Sequence, residues 1–283
     1  MKSIKIKTPA KINLTLEVLN KRPDGFHNIQ SIMQAINLYD YLTFEIDFAS
    51  ENQIILNGNS DSIPYNETNL VYKAASKFIE QIGIKGIKVN VYIEKNIPVA
   101  AGLAGGSTNA AGTFYALNKL FNDVLSNEEI DNLCASLGSD LNFCLKGGCC
   151  LCTSRGEVLE NIPSYKQGVS LIKPKHLGIS AKEAYMNFAK LEDKSNPNNT
   201  VKLKALLEQG QFDKSLLYNS LENALFPYYE ELRTIKDNVE GSLMSGSGST
   251  FFVLKNKIET TLDKTKYDIF ENLQTVENGV TEA

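Results

Sequence analysis

Aliphatic and polar positions alternate from the start of the chain. Ile4 and Ile6 are set against Lys5 and Lys7. Beyond Pro9, Ile12, Leu14, Leu16 and Val18 are set against Asn13, Thr15 and Glu17. A period of two predicts strands. The same alternation predicts strands over residues 41–48 and 87–93, with a weaker one over 53–56. Between them Leu70, Val71, Ala74, Ala75, Phe78, Ile79 and Ile82 recur at helical spacing, with Thr68 or Asn69 placed to cap the start and Gly83 the end. Residues 57–66 read as loop.

The strand ending at 93 delivers the chain to IPVAAGLAGGSTNAA, residues 97–111, and the alanine- and leucine-rich stretch from Asn109 to Leu120 predicts a helix directly after it. Ser126 with Glu129 forms a capping-box pattern ahead of Ile130, Leu133 and Leu137, and Gly138 ends that helix. Cys149 to Thr153 reads as a buried strand and Arg155–Gly156 as a turn. The pattern restarts with a strand over 168–173, so a boundary near residue 160 divides the chain into units of residues 1–160 and 161–283. Residues 180–190 read as helical and carry Tyr185, and residues 192–200 read as loop. Two or three short helices follow, then LMSGSGSTFFVL, a Gly/Ser cluster ahead of an apolar strand. The tail from Lys255 carries no site signal.

Composition narrows the function classes. The 283 residues are 42% hydrophobic and 22% charged, the make-up of an ordinary globular protein. A net charge of -4 gives no reason to expect nucleic acid or an anionic membrane as the main partner. The N-terminal stretch lacks the apolar core of a signal peptide, and no apolar run is long enough to span a bilayer, so cytoplasmic residence is expected. Oligomeric state is left open between monomer and homodimer. Cys134, Cys144, Cys149, Cys150 and Cys152 form no CxxC pair, and buried reduced thiols are expected rather than a disulfide framework or a zinc site.

Chemistry gathers in a few places. Gly102, Gly105 and Gly106, followed by Ser107 and Thr108 at a helix start, are the materials of a phosphate cradle, since unpaired N–H groups and the helix dipole both favour an anion there. A Gly-rich turn that merely caps a helix has the same composition, and no GK[ST] follows, so this is not a Walker loop. Lys11 and Asn13 lie two apart on a strand and share a face. From spacing alone the pair fits a solvated strand face better than it fits a site. The turn KRPDGFHN presents Phe26 and His27, an aromatic and an imidazole suited to stacking on and hydrogen-bonding a heterocycle, although an inward-packed Phe26 with a solvated His27 is the commoner arrangement of such a pair. Asp140, just before an apolar run, reads as a helix cap, a turn former or a catalytic carboxylate.

Taken in order, PAKINL (9–14), RPDGFHN (22–28), the 97–111 loop, LGSDLNFCLKGG (137–148) and MSGSGS (244–249) resemble the galactokinase, homoserine kinase, mevalonate kinase and phosphomevalonate kinase (GHMP) superfamily of small-molecule kinases. PAKINL joined to the DGFH turn is similar to one branch, the 4-diphosphocytidyl-2-C-methyl-D-erythritol kinases of non-mevalonate isoprenoid biosynthesis. The resemblance implies an α+β fold of two domains, ribosomal-protein-like then ferredoxin-like, with ATP and a cytidine diphosphate substrate in the cleft between them. It implies Lys11 and Asp140 as the catalytic pair. Pro98, Val99, Ala100, Ala101, Gly102, Leu103, Ala104, Gly105, Gly106, Ser107 and Thr108 would bind the ATP phosphates, with Asn69, Lys95 and Asn109 near the nucleotide. Asn13, Phe26, His27 and Tyr185 would bind substrate. Mg²⁺ would come with ATP, and Ser107 is the hydroxyl to contact it.

The chain departs from the pattern at several places. Phe26 stands where tyrosine is frequent, Ala100 and Ala104 where some relatives have glycine, Asn142 in place of proline and Ala181 in place of threonine. None touches Lys11 or Asp140. The rival expectations are a GHMP kinase for a mevalonate-like or homoserine-like substrate, which leaves Phe26 and His27 without a task, and a non-catalytic nucleotide- or RNA-binding module on the same fold.

Overall fold

The protein, described by a computed structural model over residues 2–194 and 196–283, is built on two sheets. Met1 and Ser195, the latter within the loop-like 192–200 segment, lie outside the described residues. The elements run β1 (Lys2–Lys21), β2 (His27–Phe48), β3 (Gln53–Gly58), α1 (Leu70–Ile82), β4 (Ile87–Glu94), α2 (Gly105–Leu120), α3 (Asn127–Leu137), α4 (Leu141–Lys146), β5 (Cys149–Thr153) and β6 (Val158–Ile162). There follow β7 (Gly168–Pro174), α5 (Ala181–Ala189), α6 (Asn199–Glu208), β8 (Tyr218–Asn219), α7 (Glu222–Leu225), α8 (Glu230–Asn238), β9 (Leu243–Met244), β10 (Phe251–Val253), β11 (Tyr267–Gln274) and β12 (Thr281–Glu282). Among the described residues no helix is long and apolar enough to cross a membrane.

The larger sheet has the order β12-β1-β2-β4-β3, with β5 on β2, β6 on β5 and β8 on β1; the smaller is β11-β7-β10-β9. The long β1–β2 hairpin is the spine. Alternation located only the last third of β2, because Ile29, Ile32, Met33, Ala35 and Ile36 are buried along with Ser31 and Gln34, and a strand covered on both faces loses its period of two. Two extra residues of β2, Asn37 and Leu38, opposite the Pro9–Ala10 step, and one of β1, Leu14, between Asn13 and Thr15, break the pattern further.

The helix after the glycine loop starts at Gly105, four residues before the expected Asn109, so the second and third glycines and both hydroxyls belong to its first turn. Asn69 rather than Thr68 caps α1. The Ser126–Glu129 capping box forms as read. The loop expected over 192–200 is cut short by α6, and the featureless tail contributes β11 and β12.

Three apolar clusters hold the layers together. Phe44, Phe78, Phe114 and Phe143 fill the space between the larger sheet and α1 to α4. Ile12, Ile32 and Ile36 of the larger sheet meet Leu203, Leu207 and Phe252, and Leu16, Val18 and Ile29 meet Ile172, Leu232 and Phe251. The two sheets are thereby joined through β1, the strand that carries Lys11.

Candidate active site

The glycine loop leaves β4 on a buried ion pair. Lys95 Nζ lies 2.6 Å from Asp40 Oδ2, with both side chains almost wholly buried. The other carboxylate oxygen accepts the backbone N–H groups of Asn96 at 2.7 Å and Ile97 at 2.8 Å, and Lys95 also donates to the Ile97 carbonyl at 2.5 Å. Burial pulls the Lys95 pKa down while the Asp40 charge opposes that shift. Ala100 and Ala104 then sit in the left-handed region at φ +49° and +59°, and Gly102 at +73°. At Ala104 the chain enters α2 with no side chain capping it, so the N–H groups of the first turn keep their donor capacity.

A cavity of about 910 Å³ opens in front of that helix start. It brings together the expected Lys11, Asn13, Phe26, His27, Asn69, Lys95, every residue from Pro98 to Ser107, Asn109, Asp140 and Tyr185. Thr108 does not line it and is fully buried behind the loop. Asn109 accepts the Thr8 hydroxyl at 2.9 Å. Asn69 spends its amide on the Pro64 carbonyl and its oxygen on capping α1.

Lys11 and Asp140 approach each other across the cavity floor. Lys11 Nζ donates to Asn13 Oδ1 at 2.6 Å and to the Gly102 carbonyl at 2.8 Å, and stands 3.8 Å from Asp140 Oδ2. Asn13 is held in turn through Ser31, whose hydroxyl donates to the Thr15 carbonyl. Asp140 precedes α4 but its side chain makes no capping bond, which removes the helix-cap reading and leaves the carboxylate open to the cavity.

The Gly/Ser cluster near the C-terminus proves to be structural support for this floor. The successive carbonyls of Ala100, Ala101 and Gly102 accept from Ile179 N, Thr250 N and the Ser245 hydroxyl at 3.2, 3.2 and 3.0 Å. Asn219 donates to the carbonyls of Met244 and Gly246, and Glu222 accepts the Met244 N–H. A Cβ at Gly246 would stand 2.9 Å from Lys11 Nζ, so the absence of a side chain there is a matter of room. Asn219 and Glu222 were not singled out from sequence. Nothing in the mixed run NSLENAL distinguishes them from its other polar residues, Ser220 and Asn223.

At the far end, His27 stacks on Tyr185 with centroids 5.6 Å apart and planes 16° apart, and Phe188 meets its edge. Burial, with Lys21 and Lys194 nearby, holds the His27 pKa below its ordinary value. Burial and the Asp140 charge push the Tyr185 phenol up, keeping it neutral. Phe26 is 52% exposed and has the Arg155 guanidinium 5.3 Å from its ring. Arg155, Lys21 and Lys182 also line the cavity, cations that no local motif marks in the sequence. The cysteines are uninvolved: burial pushes Cys134 up to about 12 and Cys150 up to about 11, and the thiols stay protonated.

A family model described as the GHMP kinases N terminal domain matches residues 69–148. A 4-diphosphocytidyl-2-C-methyl-D-erythritol kinase from Clostridium beijerinckii is 39% identical over 261 residues, covering 89% of this chain and 90% of its own. A crystal structure of a 4-(cytidine 5'-diphospho)-2C-methyl-D-erythritol kinase superposes with a TM-score of 0.73 at 26% identity, covering 96% of this chain and 100% of that one. A homoserine kinase from Cytophaga hutchinsonii superposes at 0.74 with 19% identity over 100% and 98% of the two chains, a likeness of fold alone.

Proposed function

Because the chain belongs to the 4-diphosphocytidyl-2-C-methyl-D-erythritol kinase family of GHMP kinases, we propose that Lys11 and Asp140 transfer the γ-phosphoryl group of ATP to the substrate's 2-hydroxyl. The protein is an ATP-dependent kinase of 4-diphosphocytidyl-2-C-methyl-D-erythritol in non-mevalonate isoprenoid precursor biosynthesis. The observation that carries the residue assignment is the uncapped Asp140 carboxylate beside a buried, fixed ammonium in the cavity that the glycine loop borders.

Asp140 accepts the hydroxyl proton as the oxygen forms its bond to phosphorus and the bond to the departing ADP oxygen breaks. Lys11, aimed by Asn13 and the Gly102 carbonyl, orients the hydroxyl and offsets the negative charge that develops on the phosphoryl oxygens. The free N–H groups at the start of α2 and the loop from Pro98 to Thr108 hold the phosphates, Thr108 from behind. Asn69, Lys95 and Asn109 border the nucleoside. Mg²⁺ would be held chiefly by the phosphates, with Ser107 as the protein group beside it, and would neutralise phosphate charge there.

His27, neutral near pH 7, offers one donor and one acceptor to a cytosine edge, while Phe26 and Tyr185 supply ring faces and Asn13 a polar contact. Arg155, Lys21 and Lys182 give the substrate's diphosphate a cationic surround.

The finer architecture belongs to the same reading. Residues 1–160 make a ribosomal-protein-like unit and 161–283 a ferredoxin-like one, with both substrates in the cleft between them. The second unit lends β8 and β12 to the first sheet, which supports a rigid pairing of the two. The enzyme works in the cytoplasm as a monomer or homodimer, without nucleic acid or membrane as partner.

A coupled assay of ADP release tests the reading. ADP is expected to form in step with 4-diphosphocytidyl-2-C-methyl-D-erythritol consumed and not with mevalonate or homoserine. Turnover of either of the latter at a comparable rate overturns it.

A further inference from the structure

One buried cation lies outside the lining of the cleft. Lys173, near the end of β7, is 5% exposed, and its ammonium donates to the Pro174 carbonyl at 2.9 Å and to the Leu177 carbonyl at 3.1 Å. Asp268 stands opposite it in register on β11. Burial draws the Lys173 pKa down, and the Asp268 charge opposes that shift. An ammonium held out of water on backbone carbonyls is costly, so a neutral side chain would serve better if packing were the only task.

The carbonyl of Leu177 leads from this lysine to the cleft. It also accepts the Ser249 hydroxyl at 2.5 Å. Just beyond Leu177, Ile179 N donates to the Ala100 carbonyl at 3.2 Å, and just beyond Ser249, Thr250 N donates to the Ala101 carbonyl at 3.2 Å. Leu177 therefore knots together two segments that grip successive carbonyls of the glycine loop. The fit is tight, since a Cβ at Gly178 would stand 2.9 Å from the Ala100 Cβ. After Ile179 the chain enters α5, where the Ser180 hydroxyl accepts the Glu183 N–H at 3.2 Å, and Ile179, Ser180, Ala181, Lys182 and Tyr185 form one wall of the cleft.

We propose that Lys173 is a positioning residue for both halves of the cleft: its ammonium fixes the Leu177 carbonyl, and through it the spacing between the α5 wall that carries Tyr185 and the glycine loop. The assignment rests on the cleft taking ATP at the loop and a cytidine ligand at α5. An ammonium suits the task because its hydrogens diverge from one point and hold two carbonyls that a single hydroxyl could not. Lys11 on β1 and Asp140 ahead of α4 stand outside this connection, so its influence falls on binding rather than on the chemical step.

Lys173→Met keeps most of the stem and removes the donors, while Ser249→Ala removes the second bond to the same carbonyl. Dissociation constants for ADP and for CDP are measured by calorimetry on the whole protein, below the unfolding temperature of each variant, beside kcat for ADP release. In Lys173→Met both constants are expected to rise about five- to tenfold while kcat stays within about threefold. Ser249→Ala is expected to show the same paired rise to a smaller extent, and it carries the test should Lys173→Met not fold. Both constants unchanged, whatever the loss of thermal stability, or a rise in one alone, overturns the proposal. If CDP fails to bind the unaltered protein, it is the reading of the cleft that has failed, and an unchanged ADP constant in Lys173→Met still overturns the positioning role.

Discussion

The ammonium of Lys11 stands 3.8 Å from the Asp140 carboxylate but only 2.6 Å from the Asn13 amide oxygen, so it is fixed by neutral groups and merely faced by the charged one. An ammonium has three hydrogens, and two are engaged by Asn13 and the Gly102 carbonyl. The third is free to point toward substrate, and Asp140 keeps acceptor capacity for a proton. Asp140→Asn preserves shape and removes the proposed base. Turnover is expected to fall by about 10² to 10⁴, while the KM values for ATP and substrate stay within a few-fold. Steady-state kinetics on both substrates check this, and near-normal turnover assigns the proton elsewhere.

The carbonyl that Lys11 holds belongs to a residue that must be glycine. A methyl on Gly102 would run into the Ser245 carbonyl, and its φ of +73° disfavours any side chain. Gly102→Ala is expected to destabilise the protein by about 2 kcal/mol or more and to raise the KM for ATP. Ala100 presents the reverse case, an exposed residue at φ +49° with a Cβ the backbone does not favour. Ala100→Gly is expected to stabilise by about 0.5 to 1 kcal/mol. Chemical denaturation of the two variants should move the midpoint in opposite directions.

The sequence made the loop, the capped helices and the Lys11, Asp140 and His27 positions legible because each rests on local chemistry or on a motif order. What it hid depends on long-range placement. Asp40, Asn219 and Glu222 gain their roles only when β4, β8, α7 and β9 meet, up to 57 residues away in the case of Asp40 and Ile97. The first part of β2 was invisible because it is covered on both faces. The supporting role of the Gly/Ser cluster was hidden because its partners are backbone carbonyls of the glycine loop, which no side-chain pattern reveals.

The substrate contact proposed for the His27 imidazole predicts a pH limit on substrate binding. Burial and two lysines hold its pKa below the ordinary 6.5. Between the native value and 6.5 the unfolded chain binds more protons than the native one, so stability climbs with pH across that window and declines as pH falls through it. Within the native protein the ring stays neutral until below pH 6.5, and protonation then removes its acceptor nitrogen. The KM for the cytidine substrate is expected to be flat above pH 6.5 and to rise below it, and this acid limb should vanish in His27→Gln. An identical limb in both proteins would mean that another group is titrating.

Asp40 makes the last case, because it holds the loop without touching the reaction. Its carboxylate is fully buried and accepts from Lys95, Asn96 N and Ile97 N. In Asp40→Ala the ammonium of Lys95 is left buried without a counter-charge and two backbone donors lose their acceptor. A loss of about 3 to 5 kcal/mol is expected, since breaking one side of a buried pair exposes the full desolvation cost of the other. Asp40→Ala with Lys95→Met removes both charges and should regain a large part of that stability. The KM for ATP should nevertheless stay raised in the double variant, because the Asn96 and Ile97 amides that fix the path of the loop remain unsatisfied and the ammonium proposed to border the nucleoside is gone. Equal instability of the single and double variants in a denaturant titration would show that the pair matters through its packing and not through its charge.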